Sequence, residues 1–271
     1  MSERIAFIGG GNMASAIIGG LIKQGLAAQN ISVLEPMPEA RQLLRSSFGI
    51  VAQAQADADL AGAGLVIWAV KPQTFKEAAV ATAPFVPHAL HLSVAAGIRS
   101  DSIAAWLGTE RVVRAMPNTP ALVGKGISGL YARAGVSEAD RTRVQQVMAT
   151  TGESLWFDAE DKLDVVTALS GSGPAYVFYF MEAMTMAGTE MGLSREEANQ
   201  LTVATFVGAS ALAHASADSP QVLRQRVTSK GGTTAAAISS MEDNDMRALF
   251  IDAMYAARER AKKLGDEFGA A

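Results

Sequence analysis

The first half of the chain alternates short apolar runs with stretches of helical spacing. The apolar runs predict strands at Ile5–Ile8, Ile31–Leu34, Leu65–Val70, Leu90–Val94, Arg111–Met116, Ile127–Tyr131 and Ser154–Phe157. Helical spacing follows several of them, for example at Ala14–Lys23 and at Ile103–Leu107. Since the Leu65–Val70 run has no polar residue, it is typical of a strand buried on both faces of a parallel sheet. Alternating strands and helices predict βαβ units and an α/β, doubly wound sheet.

After Phe157 the pattern changes to long helical stretches. Helices are predicted at Pro174–Met191, at Ser194 to about Ala215, from Ser219-Pro220, and at Asp245 to about Phe268. Ser194 and Glu197 have the spacing of a capping box. The sequence therefore predicts an α/β domain over residues 1–158 and an all-helical domain over residues 159–271.

The stretch from Thr202 to Ala217 is rich in Ala, Gly and Ser. Small side chains on a helix favour close contact with another helix. We therefore expect this stretch to be buried between subunits rather than exposed to solvent.

Composition excludes several classes of function. The 271 residues contain 23 Lys+Arg and 27 Asp+Glu, and the pI near 5.5 leaves no basic excess for nucleic acid. The absence of cysteine excludes disulfides, thiolate zinc sites and cysteine nucleophiles. His88, His91 and His214 are too scattered for a metal site, so no metal is expected. We expect a cytoplasmic globular protein without a membrane partner, because the nearly uncharged stretch Ile5–Ile22 is interrupted by glycines.

The strongest local motif lies between the first predicted strand and helix. Gly9-Gly10-Gly11-Asn12-Met13-Ala14 has the GxGxxA form of a dinucleotide-binding turn. The first glycine permits the tight turn, and Gly11 lets the backbone approach a pyrophosphate at a helix N-terminus. Glu35, at the end of the second strand, has the position of the acidic residue that binds the ribose. These features predict a nicotinamide dinucleotide cofactor.

Three further segments follow predicted strands and so belong at the carboxyl edge of the sheet. They are Lys71-Pro72, Ala95-Ala96-Gly97, and the segment Met116–Pro120. Small residues at 95–97 suit a flat ring against the backbone, and Asn118 can hydrogen-bond an amide. The alternatives to ligand binding are that Lys71 is simply solvated and that residues 116–120 form a loop whose prolines have only a structural role.

Two glycine-rich segments lie in the helical half, each before a predicted helix. Ser170–Tyr176 precedes the long helix with Pro174 in its first turn. Thr228–Thr234 precedes a helix at Ala235–Met241 and offers backbone N–H groups and hydroxyls suited to a carboxylate. Thr234 as a simple cap of that helix explains the pattern equally well.

Taken together, these motifs resemble those of pyrroline-5-carboxylate reductases. The segments that carry the resemblance are FIGGGNMA (Phe7–Ala14), AVKP (Ala69–Pro72), AAG (Ala95–Gly97), RAMPNTP (Arg114–Pro120), SGSGPAY (Ser170–Tyr176) and VTSKGGTTAAA (Val227–Ala237). Enzymes of this family reduce the ring imine of 1-pyrroline-5-carboxylate to L-proline with NADPH or NADH, the last step of proline biosynthesis. The resemblance implies a Rossmann-like domain followed by an all-helical substrate-binding domain that forms a homodimer or a larger dimer-based oligomer.

The resemblance also implies roles for individual residues. The pyrophosphate would lie on Gly9 to Met13, and the adenosine ribose beside Glu35 and Pro36. The nicotinamide half of the coenzyme would be lined by Ala69, Val70, Lys71, Pro72, Ala95, Ala96, Gly97 and Asn118. The substrate would contact Ser229, Gly231, Gly232, Thr233 and Thr234, with the Thr234 hydroxyl near the imine nitrogen as the catalytic group.

Two positions depart from the family pattern. Glu35 stands where members often have a small hydroxyl residue that receives the 2′-phosphate of NADPH, and Ala56 stands near a common asparagine. A carboxylate accepts bonds from a 2′-hydroxyl and repels a phosphate. The sequence alone therefore predicts that NADH works at least as well as NADPH.

Two other functions are compatible with an α/β domain followed by helices. A β-hydroxyacid dehydrogenase would need a lysine four residues from an asparagine, yet no lysine occurs between Lys162 and Lys230. A dinucleotide sensor without activity would not need the intact Gly231–Thr234 segment. Oxidation of reduced nicotinamide with pyrroline-5-carboxylate, compared with hydroxyacids, separates the three.

Overall fold

The computed structural model describes residues 4–269, and a twisted seven-stranded sheet organises its first part. The strands are β1 (Ile5–Ile8), β2 (Ile31–Leu34), β3 (Leu65–Trp68), β4 (Leu90–Ser93), β5 (Val112–Met116), β6 (Gly126–Ala132) and β7 (Gly152–Phe157). Their order is β2-β1-β3-β4-β5-β6-β7. The strands from β2 to β5 are parallel, β6 runs antiparallel to β5, and β7 is parallel to β6. The predicted doubly wound sheet is confirmed.

Helices follow most of the strands. They are α1 (Asn12–Lys23), α2 (Pro38–Phe48), α3 (Pro72–Thr82), α4 (Ser100–Leu107), α5 (Glu138–Met148) and α6 (Lys162–Val166). Two apolar clusters cover opposite faces of the sheet, and β3 contributes Leu65 and Ile67 to one and Val66 and Trp68 to the other. The uninterrupted apolar run in the sequence is thus explained by burial on both faces.

The remaining helices are α7 (Gly173–Glu190), α8 (Arg195–Ala215), α9 (Pro220–Arg226), α10 (Thr233–Asp243) and α11 (Met246–Gly269). The predicted capping box at the start of α8 is present, with the Ser194 hydroxyl on the Glu197 amide and the Glu197 carboxylate on the Ser194 amide. Within residues 4–269, none of the helices is long and apolar enough to cross a membrane.

Backbone contacts divide the chain into two compact units. Of the described residues, 4–172 and 257–269 belong to one unit, and 173–256 belong to the other. β7 ends at Phe157, so the change from strands to helices occurs where the sequence predicted it. The division into two domains at 158/159 stays a prediction, and the compact units divide at 172/173 instead. The predicted ranges also include residues 1–3 and 270–271, which lie outside the described residues.

The predicted break at Ser170–Tyr176 has a specific form. Residues Thr167–Gly171 make a π-helical turn directly after α6, and α7 begins at Gly173. Gly171 lies against Met116, because a Cβ at Gly171 would come within 2.4 Å of the Met116 methyl carbon. An alanine at residue 171 would require the end of the Met116 side chain to move.

His88 and His91 do not share a site. His88 is exposed, whereas His91 is 2% exposed inside the sheet, where its Nδ1 accepts a hydrogen bond of 3.2 Å from Trp68 Nε1. Burial, and secondly the charge of Arg111, lower the pKa of His91 to about 4.

We expect His91 to make the fold sensitive to acid. Between pH 6.5 and about pH 4 the unfolded chain takes up a proton at His91 that the folded chain does not. Stability is therefore lost as the pH falls through this interval, by about 3 kcal/mol from this residue. Urea unfolding across the interval should show this slope in the wild type and in His88→Gln, and a shallower one in His91→Gln. Equal slopes in all three would contradict the assignment.

Candidate active site

The carboxyl ends of neighbouring parallel strands bring several predicted segments together. Ile8 of β1 is in register with Leu34 of β2 and with Trp68 of β3, and Trp68 is in register with Ser93 of β4. The segments that follow these residues therefore share one edge of the sheet. The chain leaves β1 for β2 on one side and reaches β3 on the other, so the strand order reverses at β1. Ligands bind at such a reversal in open α/β sheets.

The glycine turn between β1 and α1 has the shape that a pyrophosphate needs. Gly9 has φ +97, and a Cβ there would come within 2.5 Å of the Ala69 carbonyl oxygen. Gly11 is exposed, and a Cβ on it would meet no atom within 4 Å. Gly11 is the N-cap of α1 and supplies no side-chain cap, so the first amides of the helix face open space beside it. The turn therefore fits a dinucleotide phosphate.

Glu35 is tied to this turn. Its two carboxylate oxygens accept hydrogen bonds of 2.8 Å each, from the amide of Gly10 and from the amide of Met37. The residue is 8% exposed. The carboxylate is thus anchored between the glycine turn and the start of α2, and this role in the fold was not expected from the sequence.

The nicotinamide-side segments lie at the ends of β3 and β4. Ala69 and Val70 are half-buried and Lys71 is exposed at the N-cap of α3. Ala95 is buried and Ala96 is exposed. Gly97 has φ +72, and a Cβ on it would come within 3.2 Å of the Leu264 Cβ. Residues 95–97 thus lie at the edge of the sheet, as expected, and their contact with a nicotinamide ring stays a prediction.

A network of charges that the sequence did not reveal fixes the segment after Gly97. Arg99 makes a two-armed ion pair with Asp164, at 3.2 and 2.8 Å. Glu160 accepts bonds from the Ser100 amide at 2.6 Å and from Arg114 Nη1 at 2.5 Å. These partners lie 46 to 65 residues apart in sequence, so no local motif could have indicated them.

The two polar atoms of the Asn118 side chain have different surroundings. Its side-chain oxygen accepts a hydrogen bond of 3.0 Å from the Ile127 amide, which ties the 116–120 segment to β6. Among residues 4–269 its side-chain nitrogen has no partner. That nitrogen is the atom able to bind a carbonyl group of a ligand.

The Ser229–Thr234 loop, in the second unit, opens α10. Gly231 has φ +74, and Gly232 lies so close to Ser229 that a Cβ would come within 2.6 Å of its hydroxyl oxygen. Gly232 is the N-cap and provides no side-chain cap, so the first amides of α10 are free to bind an anion. Thr234 is half-buried in the first turn.

The interpretation of Thr234 as a cap is wrong. The helix starts at Thr233 rather than at Ala235, and no side chain caps it. In the described part of the chain the Thr234 hydroxyl has no hydrogen-bond partner. This hydroxyl is therefore available to a ligand.

Comparison with known proteins agrees with this geometry. Residues 160–264 match the pyrroline-5-carboxylate reductase dimerisation family, and residues 4–97 match the family described as NADP oxidoreductase coenzyme F420-dependent. A pyrroline-5-carboxylate reductase of Pseudomonas aeruginosa is 48% identical, with 99% of each chain covered. The chain belongs to the pyrroline-5-carboxylate reductase family.

Solved structures of pyrroline-5-carboxylate reductases have the same fold. The enzyme of Coxiella burnetii is 37% identical with a TM-score of 0.90, covering 97% of this chain and 99% of that one. The Plasmodium falciparum enzyme, solved with NADP bound, is 27% identical with a TM-score of 0.86, covering 97% and 98%. The family resemblance seen in the motifs is thus confirmed over the full described fold.

Proposed function

We propose that this chain catalyses the reduction of 1-pyrroline-5-carboxylate to L-proline with NADPH or NADH, the last step of proline biosynthesis. The observation that carries the proposal is the full-length relation to pyrroline-5-carboxylate reductases, with 99% of each chain matched in the P. aeruginosa enzyme. The two uncapped helix starts, at Gly11 and at Gly232, support it, because each leaves backbone N–H groups free for an anionic part of a ligand.

In this proposal the glycine turn holds the coenzyme. Gly9 to Met13 bind the pyrophosphate through the free amides of α1, and Glu35 holds the turn in place by accepting a hydrogen bond from the Gly10 amide. The segments at 69–72 and 95–97 and the Asn118 side-chain nitrogen orient the nicotinamide end. When bound, the reduced nicotinamide supplies the hydride that adds to the carbon of the C=N bond.

The Ser229–Thr234 loop binds the substrate in this proposal. Its carboxylate accepts hydrogen bonds from the amides at the start of α10, and the Thr234 hydroxyl donates to the ring nitrogen. The hydroxyl donates to the lone pair of the neutral imine, or to the lone pair that forms on an already protonated nitrogen as the hydride adds to the carbon. Because a ring imine is basic enough to take its proton from water near neutral pH, positioning of the two rings and charge stabilisation suffice without a strong acid. The product is the secondary amine of proline.

A spectrophotometric assay tests the reaction. Loss of reduced-nicotinamide absorbance should require pyrroline-5-carboxylate, and proline should form in equal amount. β-Hydroxyacids and substrate-free samples are the controls. Turnover with a hydroxyacid and none with pyrroline-5-carboxylate would overturn the proposal.

We further propose that the helical unit forms a homodimer, on which larger assemblies can be built. In α8, Thr202 is buried, but Val207 and Leu212 are 60% and 70% exposed in the single chain. Leu201 and Val203 of the same helix are exposed as well. Several large apolar side chains exposed on one helix are typical of a surface that a partner covers, whereas a single exposed apolar residue is common on any protein. The cytoplasmic location expected from the sequence stays a prediction.

Light scattering after size exclusion tests the dimer. We expect a mass of at least two 28.3 kDa chains at micromolar concentration. A Val207→Glu/Leu212→Glu double variant should dissociate, because it places charges in the apolar surface. Val80→Glu, at a 58% exposed apolar residue of α3, should not. A stable wild-type monomer would contradict this proposal.

A further inference from the structure

The turn between β2 and α2 carries a fixed cation. Arg41 Nη1 donates hydrogen bonds to the carbonyl oxygens of Glu35, at 3.0 Å, and Pro36, at 2.6 Å. These bonds hold the half-buried guanidinium over the turn. Its Nε and Nη2 have no partner among residues 4–269. The guanidinium thus keeps three N–H donors for a ligand at this position.

The acidic residue of the same turn is not presented to a ligand in the same way. Both carboxylate oxygens of Glu35 already accept hydrogen bonds from backbone N–H groups, and the residue is only 8% exposed. Two amide dipoles directed at the carboxylate offset its negative charge. The side chain that the sequence assigned to the ribose is therefore occupied in holding the glycine turn.

The space beside Arg41 suits a phosphate. A groove of about 720 Å³ opens along α2 and is lined by Arg41, Gln42, Arg45, Ser46, Val51 and Ala52. Its lining contains two arginines and no carboxylate. An anion entering the groove therefore meets only positive and neutral side chains.

We propose that Arg41 binds the 2′-phosphate of NADPH and makes this enzyme prefer NADPH to NADH. In this fold the adenosine ribose lies at the end of the second strand, where an arginine accommodates the 2′-phosphate of NADP. A guanidinium with free parallel N–H groups binds a phosphate through two charge-assisted hydrogen bonds. The inference rests on the proposed use of the glycine turn for the coenzyme. It replaces the expectation, drawn from Glu35 in the sequence, that NADH works at least as well as NADPH.

Binding without substrate tests the inference. Calorimetric titrations of the purified enzyme would compare NADPH with NADH, and 2′,5′-ADP with 5′-AMP. For Arg41→Gln we expect NADPH and 2′,5′-ADP to bind about 10- to 100-fold more weakly, the loss of one or two charge-assisted bonds, with NADH nearly unchanged. In the wild type, the ratio of the NADH to the NADPH dissociation constant should also fall at high salt, because salt screens the attraction between Arg41 and the phosphate.

Arg45→Gln is the matched control. Arg45 lies one helical turn further along α2 and lines the same groove without a bond to the turn. We expect its substitution to change NADPH binding by no more than about threefold, as for an exposed charge.

Three results would overturn the inference. An equal loss of NADPH and NADH binding in Arg41→Gln would show that Arg41 only shapes the turn. An equal effect of the two arginine variants would assign the phosphate to the general charge of α2. Tighter binding of NADH than of NADPH by the wild type would exclude the preference. Failure of the proposed reaction is separate, because it would leave these binding constants unaffected and abolish turnover alone.

Discussion

Substitution of Thr234 by alanine should lower kcat by roughly 10- to 1,000-fold, the usual effect of removing one catalytic hydrogen-bond donor. The Thr234 hydroxyl has no partner within residues 4–269, and it lies in the first turn of α10, beside amides that no side chain caps. Because the proposed coenzyme site is built from other residues, the Kd of NADPH should hardly change. Thr234→Ser retains the hydroxyl and should keep much of the rate. Steady-state kinetics and coenzyme titration measure both quantities.

The thermal midpoint separates this role from a structural one. Since Thr234 does not cap α10, its replacement by alanine removes no hydrogen bond of the fold and should leave Tm nearly unchanged. Ser240→Ala, near the other end of the same helix, is the matched loss of a hydroxyl and should alter neither kcat nor Tm. Normal turnover of Thr234→Ala would exclude the catalytic role.

Gly11→Ala should weaken NADPH binding by about 10- to 100-fold without unfolding the protein. Gly11 has φ −74, which alanine adopts readily, and its Cβ would meet no atom of the chain within 4 Å. The added methyl would instead enter the open space where the pyrophosphate is proposed to lie. Calorimetric titration gives the Kd, and the free energy of unfolding should change by less than about 1 kcal/mol.

Gly9→Ala is the contrasting variant. Gly9 has φ +97, and its Cβ would collide with the Ala69 carbonyl oxygen at 2.5 Å. This variant should lose stability by about 1 to 3 kcal/mol even without coenzyme. Unchanged NADPH binding in Gly11→Ala would show that the pyrophosphate does not lie at this turn. Equal destabilisation of the two variants would show that Gly11 has no more room for a methyl group than Gly9 has.

Much of the fold was determined by local sequence patterns. β1 and β2 begin and end at the predicted residues, and the Ser194–Glu197 capping box is present, because each depends on a few neighbouring residues. The GxGxxA motif likewise predicted a turn that only glycine can make at residue 9. The order of the motifs along the chain was sufficient to predict the family.

The tertiary structure decided what depends on residues far apart in the chain. From the sequence, the Glu35 carboxylate was expected at the coenzyme ribose. In the fold it accepts a hydrogen bond of 2.8 Å from the amide of Gly10, which lies 25 residues away in the chain. In the sequence, Arg41 is an ordinary polar residue of a helix, whereas in the fold its guanidinium lies over the β2–α2 turn. The Arg99–Asp164 pair joins residues 65 positions apart. Side-chain partners at such separation are set by how the strands and helices pack, and the spacing of residues along the chain does not contain that information.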